Sequence, residues 1–130
     1  DSGLCVDALG GEPGVYSARY GGERCKNHIG RYEYLLKKLG GAENRAAKFV
    51  SVITCVFPNG DSLVCRGECP GEILTAPRGE NGFGYDPIFR PEGMERSMAE
   101  LSADEKNAIS HRGRALEKFK AKLRGYYADK

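Results

Sequence analysis

Three short stretches of this chain gather residue types that do chemistry. The first is Asp1-Ser2-Gly3, a carboxylate and a hydroxyl beside a glycine at the start of a strand. An aspartate can hold Mg²⁺ or orient a water for attack; the same residues also read as a surface carboxylate at a frayed end. The second is Gly82-Phe83-Gly84-Tyr85-Asp86-Pro87. Glycines on both sides of Phe83 let its ring stand clear of the backbone, where it can stack on a planar base, a contact worth about 1–3 kcal/mol. Asp86 is placed to read a base edge. A tight turn around one core aromatic is the plainer alternative. The third is Lys106 with Ser110-His111-Arg112. Their N–H groups suit carbonyl or phosphate oxygens, and a solvated surface pair is again the plainer alternative. On one continuous helix Lys106 and Ser110 share a face, while His111 and Arg112 turn away from it. All four then serve one ligand only if the ligand wraps the helix or the helix begins later.

Some chemistries are excluded. No Gly-Lys-Ser/Thr follows the glycines, so the stretch is not a phosphate-cradling loop, and its GxGxxG spacing fails at Pro87. No nucleophile elbow is present, and no Ser-His-Asp set is compelling.

The elements that must position these residues follow from periodicity. Gly3 to Leu9 reads as a strand ended by Gly10-Gly11. From Cys25 to Leu39, apolar residues at Ile29, Tyr32, Leu35, Leu36 and Leu39 have helical spacing, closed by Gly40-Gly41. Ala47 to Phe57 and Ser62 to Cys69 are strand-like runs around Pro58-Asn59-Gly60-Asp61, which predicts a hairpin. Pro70 to Pro91 reads as a glycine-dense loop. A helix begins near Ser102 with Glu105 completing a capping box, and Ile109, Leu116, Phe119 and Leu123 form its core-facing stripe. The order strand, helix, hairpin, loop, helix predicts one α/β domain over residues 1–130, a mixed sheet with flanking helices.

Composition narrows the class. With 40% hydrophobic and 29% charged residues the chain is ordinary for a globular domain. The 18 glycines favour ligand-binding loops or many tight turns. A net charge of +2 argues against bulk nucleic-acid binding. From Ser102 onward there are eight Lys or Arg against four Asp or Glu, so a locally basic tail is set against a remainder of about −2. Five cysteines, odd in number and without CxxC spacing, predict free thiols in a reducing cytoplasm and no zinc site. No apolar run is long enough for a membrane span.

Together the motifs resemble one family. DSGLCVDALGGEPGVYSARY is similar to the acidic strand-turn signature of the inosine triphosphate (dITP/XTP) pyrophosphatases; GFGYDPIF is similar to their central loop, and SMAELSADEKNAISHRGRAL to their C-terminal helix motif. The resemblance covers nearly the whole chain. It implies an ITPase-like fold and Mg²⁺-dependent hydrolysis of non-canonical purine nucleoside triphosphates (ITP, dITP, XTP) to the monophosphate and pyrophosphate. It further implies a homodimer that clears the nucleotide pool, with no nucleic-acid or membrane partner. Residue by residue, it implies Asp1 as general base and metal ligand and Ser2 as a substrate contact. Phe83 would stack on the purine, with Gly84, Tyr85 and Asp86 lining the same pocket. Lys106 would contact the nucleotide, and His111 and Arg112 would donate to the 6-oxo group. The family also has an N-terminal strand, a Ser/Thr-Asn-Lys phosphate-binding motif and an early metal-sharing Glu, none of which is in this chain; the expectation is little or no activity from the chain alone. A nucleotide-binding remnant without catalysis and a basic-helix nucleic-acid module are the competing readings.

Overall fold

The computed structural model describes residues 2–22, 27–80 and 84–128. Four strands, β1 (Ser2–Val6), β2 (Ala46–Val56), β3 (Ser62–Ile73) and β4 (Phe89–Pro91), form one antiparallel sheet in the order β1-β2-β3-β4. Among the described residues three α-helices accompany it: α1 (His28–Leu39), α2 (Ala103–Ile109) and α3 (His111–Ala128). This is the mixed α/β class read from the sequence, with an antiparallel sheet.

Boundaries differ from the periodicity reading for local reasons. β1 stops at Val6 rather than Leu9, because Asp7–Leu9 winds into a 3-10 turn ended by Gly10 at φ 66°. The described helix α1 begins at His28, where the Asn27 side chain accepts from the Gly30 N–H at 2.8 Å. Tyr32, Leu35 and Leu39 are buried as expected, whereas Ile29 is exposed. The hairpin is longer than its apolar pattern: β3 continues past Cys69 to Ile73. The expected loop from Pro70 to Pro91 therefore supplies the end of β3, a 3-10 turn at Asp86–Ile88 and all of β4.

The largest departure is at the C-terminus. The single helix expected from Ser102 is two helices, broken at Ser110 (φ −63°, ψ 147°). Its apolar stripe holds in part: Ile109, Phe119 and Leu123 are half-buried, Ile109 against the core. Leu116 is 43% exposed, and Ala115 is the fully buried residue of α3. Charged side chains also tie the helix along β3. Arg114 donates to the Glu68 carbonyl at 2.7 Å, Lys118 to that of Arg66 at 2.8 Å and Lys122 to that of Val64 at 2.8 Å. Four residues of helix rise about 6 Å and two of strand about 6.8 Å, so the ladder stays in step over two turns.

The core joins Leu4 and Val6 of β1, Tyr32, Leu35 and Leu39 of α1, Ala47 and Phe49 of β2, and Ile88, Phe89, Met98 and Leu101. No described helix is long and apolar enough to cross a membrane.

Candidate functional site

Residues opposite one another in a sheet share a face, and the register sets two rows across this one. Ser2, Ser51 and Gly67 form one row; Leu4, Phe49 and Cys69 form the next. The Ser2 hydroxyl donates to that of Ser51 at 3.2 Å. Ser2, Leu4 and Phe49 are the floor of a pocket of about 390 Å³, which Gly3, Ser17, Ala18, His28 and Arg31 line on the side of β1 and α1. Gly84, Tyr85, Asp86, His111 and Arg112 complete it.

His111 reaches this pocket because α3 begins there. Ser110 ends α2 and also caps α3, its hydroxyl accepting from the Gly113 N–H at 2.9 Å. The first turn of α3 then lies directly on β3. A Cβ at Gly67 would stand 2.2 Å from the His111 carbonyl oxygen and 2.3 Å from the Ala115 nitrogen. Only a residue without a side chain permits that approach. It carries the His111 ring onto Phe49, with centroids 5.0 Å apart and planes 16° apart. Phe89 meets the same Phe49 ring edge-on at 4.6 Å.

Burial, with a smaller contribution from the neighbouring Arg112 cation, pushes the His111 imidazole down to about 4. At neutral pH it is uncharged, with one ring nitrogen donating and the other accepting. Its Nδ1 is buried and has no hydrogen-bond partner among the described residues. Arg112 is exposed and has no ion-pair partner among the described residues. Its guanidinium is the multi-donor group of the wall.

Asp86 and Lys106 form the best-shielded ion pair described, Nζ to Oδ2 at 2.7 Å, with side chains 14% and 23% exposed. The preceding loop is held by Ser97, fully buried, whose hydroxyl donates to the Arg78 carbonyl at 2.5 Å. The Tyr85 hydroxyl donates to the Ser17 carbonyl at 2.6 Å, and the Ser17 hydroxyl accepts from the Leu4 N–H at 2.9 Å. Tyr85 thus ties the glycine loop to β1.

The fold brings together Ser2, Gly84, Tyr85, Asp86, His111 and Arg112, with Lys106 joined through Asp86. Asp1 and Phe83 lie outside the described residues. The helix break removes the difficulty of facing: Lys106 and His111 stand on different helices and need not share a face. Sequence reasoning did not single out Ser17, His28, Arg31 and Phe49. Phe49 sits in a run of β-branched and aromatic residues that reads as core, and it is core; only the register places it under His111. Of the basic C-terminal segment, Arg114, Lys118 and Lys122 are engaged with β3 carbonyls rather than displayed as a free cationic face. Among the described residues no cluster of His, Cys, Asp or Glu could hold a metal.

The Ham1 family model matches residues 1–122. The chain belongs to the Ham1 family. It is 57% identical over 121 residues to a dITP/XTP pyrophosphatase of Deinococcus deserti, covering 93% of this chain and 57% of that protein. It is 53% identical over 127 residues to a dITP/XTP pyrophosphatase of Bacillus anthracis, covering 95% of this chain and 62% of that one. The solved Ham1 protein of Staphylococcus aureus superposes with a TM-score of 0.92 at 48% identity, covering 97% of this chain and 65% of that one. The chain thus spans about six-tenths of the length of the curated relatives it matches.

Proposed function

We propose that this chain carries the base-recognition half of a nucleoside triphosphate pyrophosphatase that cleaves between the α- and β-phosphates of deaminated purine nucleotides such as ITP, dITP and XTP. The observation that carries the reading is the convergence of Ser2, the Gly84-Tyr85-Asp86 loop and the His111-Arg112 pair on one pocket. The names of the relatives support the reaction class.

The wall opposite the loop suits a 6-oxopurine. Arg112 donates to the exocyclic oxygen, and neutral His111 adds one further donor. Adenine presents an amino group at that position, which faces donors and stays unpaired; leaving buried polar groups unpaired costs about 1–3 kcal/mol each. The Lys106–Asp86 pair holds the loop against α2, so Gly84 and Tyr85 keep their place beneath the base. Phe83, in this reading, supplies the stacking surface.

The reading carries Mg²⁺ as cofactor, with Asp1 as its carboxylate ligand and as general base. The described residues do not themselves form a magnesium site, because the pocket's described carboxylate, Asp86, is already paired with Lys106. A homodimer and a cytoplasmic location belong to the same proposal; the free thiols of Cys5, Cys55, Cys65 and Cys69 fit a reducing compartment.

Calorimetric titration with IMP and AMP tests the base pocket. Saturable IMP binding is expected, at least about tenfold tighter than AMP, a ratio equal to one lost hydrogen-bonding match. Phe83→Ala should weaken both. Equal affinity for IMP and AMP would refute the base assignment. Any turnover of ITP with Mg²⁺ should release pyrophosphate in the ³¹P spectrum; orthophosphate as first product would refute cleavage between the α- and β-phosphates.

A further inference from the structure

A histidine that reads a ligand is ordinarily oriented by a hydrogen bond at its other ring nitrogen. In this pocket that device is missing among the described residues: Nδ1 of His111 is buried and unpartnered. The backbone is fixed, since the His111 carbonyl rests against Gly67. The freedom left is rotation of the imidazole itself, and among the described residues the Phe49 ring is stacked on it.

We propose that Phe49 is the positioning residue of the base pocket: by stacking on His111 it sets the plane of the imidazole and thereby the discrimination between 6-oxo and 6-amino purines. The inference rests on the base-reading role given to His111 above. The two rings are nearly parallel, 16° apart at 5.0 Å, so turning the imidazole would break the contact over its whole face. Phe49 is a rigid platform. It is 8% exposed, and Phe89, fully buried, braces it edge-on. It also lines the pocket, at the sheet position opposite Leu4 of β1. A chain with an aliphatic residue here would keep a hydrophobic floor and lose the flat surface.

The test compares Phe49→Leu, Phe49→Tyr and a core control, Leu35→Val on α1, by IMP and AMP titration of the full chain. Phe49→Leu is expected to lower the IMP-to-AMP affinity ratio by about two- to tenfold, the equivalent of one aromatic stack. Phe49→Tyr should retain the ratio, and Leu35→Val should lower stability without changing it. A folded Phe49→Leu protein with the wild-type ratio would overturn the inference and leave the base reading standing. Absent or equal binding of IMP and AMP by the wild type would remove both. A second measurement needs no variant. His28 and His111 are the two histidines of the chain, so their ring protons are readily told apart. His111 ring protons shifted upfield by Phe49, with cross-relaxation to its ring, are expected; random-coil positions without cross-relaxation would overturn the proposal.

Discussion

Replacing Gly67 with alanine would place a methyl carbon where the backbone of α3 already stands. The new atom would lie 2.2 Å from the His111 oxygen, 2.3 Å from the Ala115 nitrogen and 2.9 Å from the Ala115 Cα, where ordinary contact begins near 3.4 Å. All three are backbone atoms, so no side chain can swing aside, and the first turn of α3 must retreat by about 1.2 Å. Overpacking of this kind costs about 1–3 kcal/mol. The backbone clash puts it near the upper end, or roughly 10 °C in melting temperature for a domain of this size. The retreat also lifts the imidazole from Phe49. Misplacement of a binding group by about 1 Å can cost up to a hundredfold, so IMP affinity should fall by about tenfold or more. Circular dichroism melting and calorimetric titration read the two effects. Ala115→Gly should rescue neither, because the clash is with main chain. A Gly67→Ala protein that melts within about 2 °C of wild type and keeps IMP affinity within about twofold would refute the close-packing argument.

His111 should make stability pH-dependent. Its folded value of about 4 lies below the ordinary 6.5, so the unfolded chain binds the extra proton first. Stability is therefore present above about pH 6.5 and is lost as pH falls toward 4. Melting temperatures of wild type and His111→Gln across that window should converge at low pH; parallel curves would refute the assignment. Ser110→Ala removes the cap of α3 and should cost about 1 kcal/mol, read as a lower urea midpoint together with weaker IMP binding. An unchanged midpoint would show that the α2–α3 break does not depend on this hydroxyl. Tyr85→Phe deletes the hydroxyl that donates to the Ser17 carbonyl at 2.6 Å and should cost about 1–2 kcal/mol by the same measurement; a stabilised variant would count against the tie between loop and β1.

Much of the site was legible because its motifs are short and local. Gly84, Tyr85 and Asp86 are adjacent, His111 and Arg112 are adjacent, and a strand start announced Ser2. What the sequence hid was everything set by register or by a break in regularity. Ser110 reads as one more polar residue in a helical stretch, since a hydroxyl that caps and one that faces water look alike until the backbone is seen to turn. The apolar spacing of Ile109, Leu116, Phe119 and Leu123 presumes one continuous helix; with the break, the inward face of α3 runs through Ala115 and Leu116 turns out. Phe49 and Gly67 are ordinary strand residues in sequence, and their importance comes from which strand lies beside which. The hairpin was found by its Asn-Gly turn, but its length was not, because the pairing of Lys48 with Pro70 and of Ala46 with Glu72 carries no apolar alternation.

The side-chain ladder between α3 and β3 has a consequence for how this molecule behaves in a crowd. From Val64 to Glu68 the carbonyls that receive Arg114, Lys118 and Lys122 lie on a stretch of β3 that β4 does not reach, since β4 pairs only with Gly71, Glu72 and Ile73. An unmet row of carbonyls is a template for another chain's strand. The three cations act as a seal along that border, offering donors without offering a strand. Neutralising Lys118 and Lys122, as acetylation would, leaves the fold's interior untouched and opens the seam. Association of still-folded copies is the expected outcome, read as light scattering at unchanged circular dichroism in a Lys118→Gln, Lys122→Gln variant.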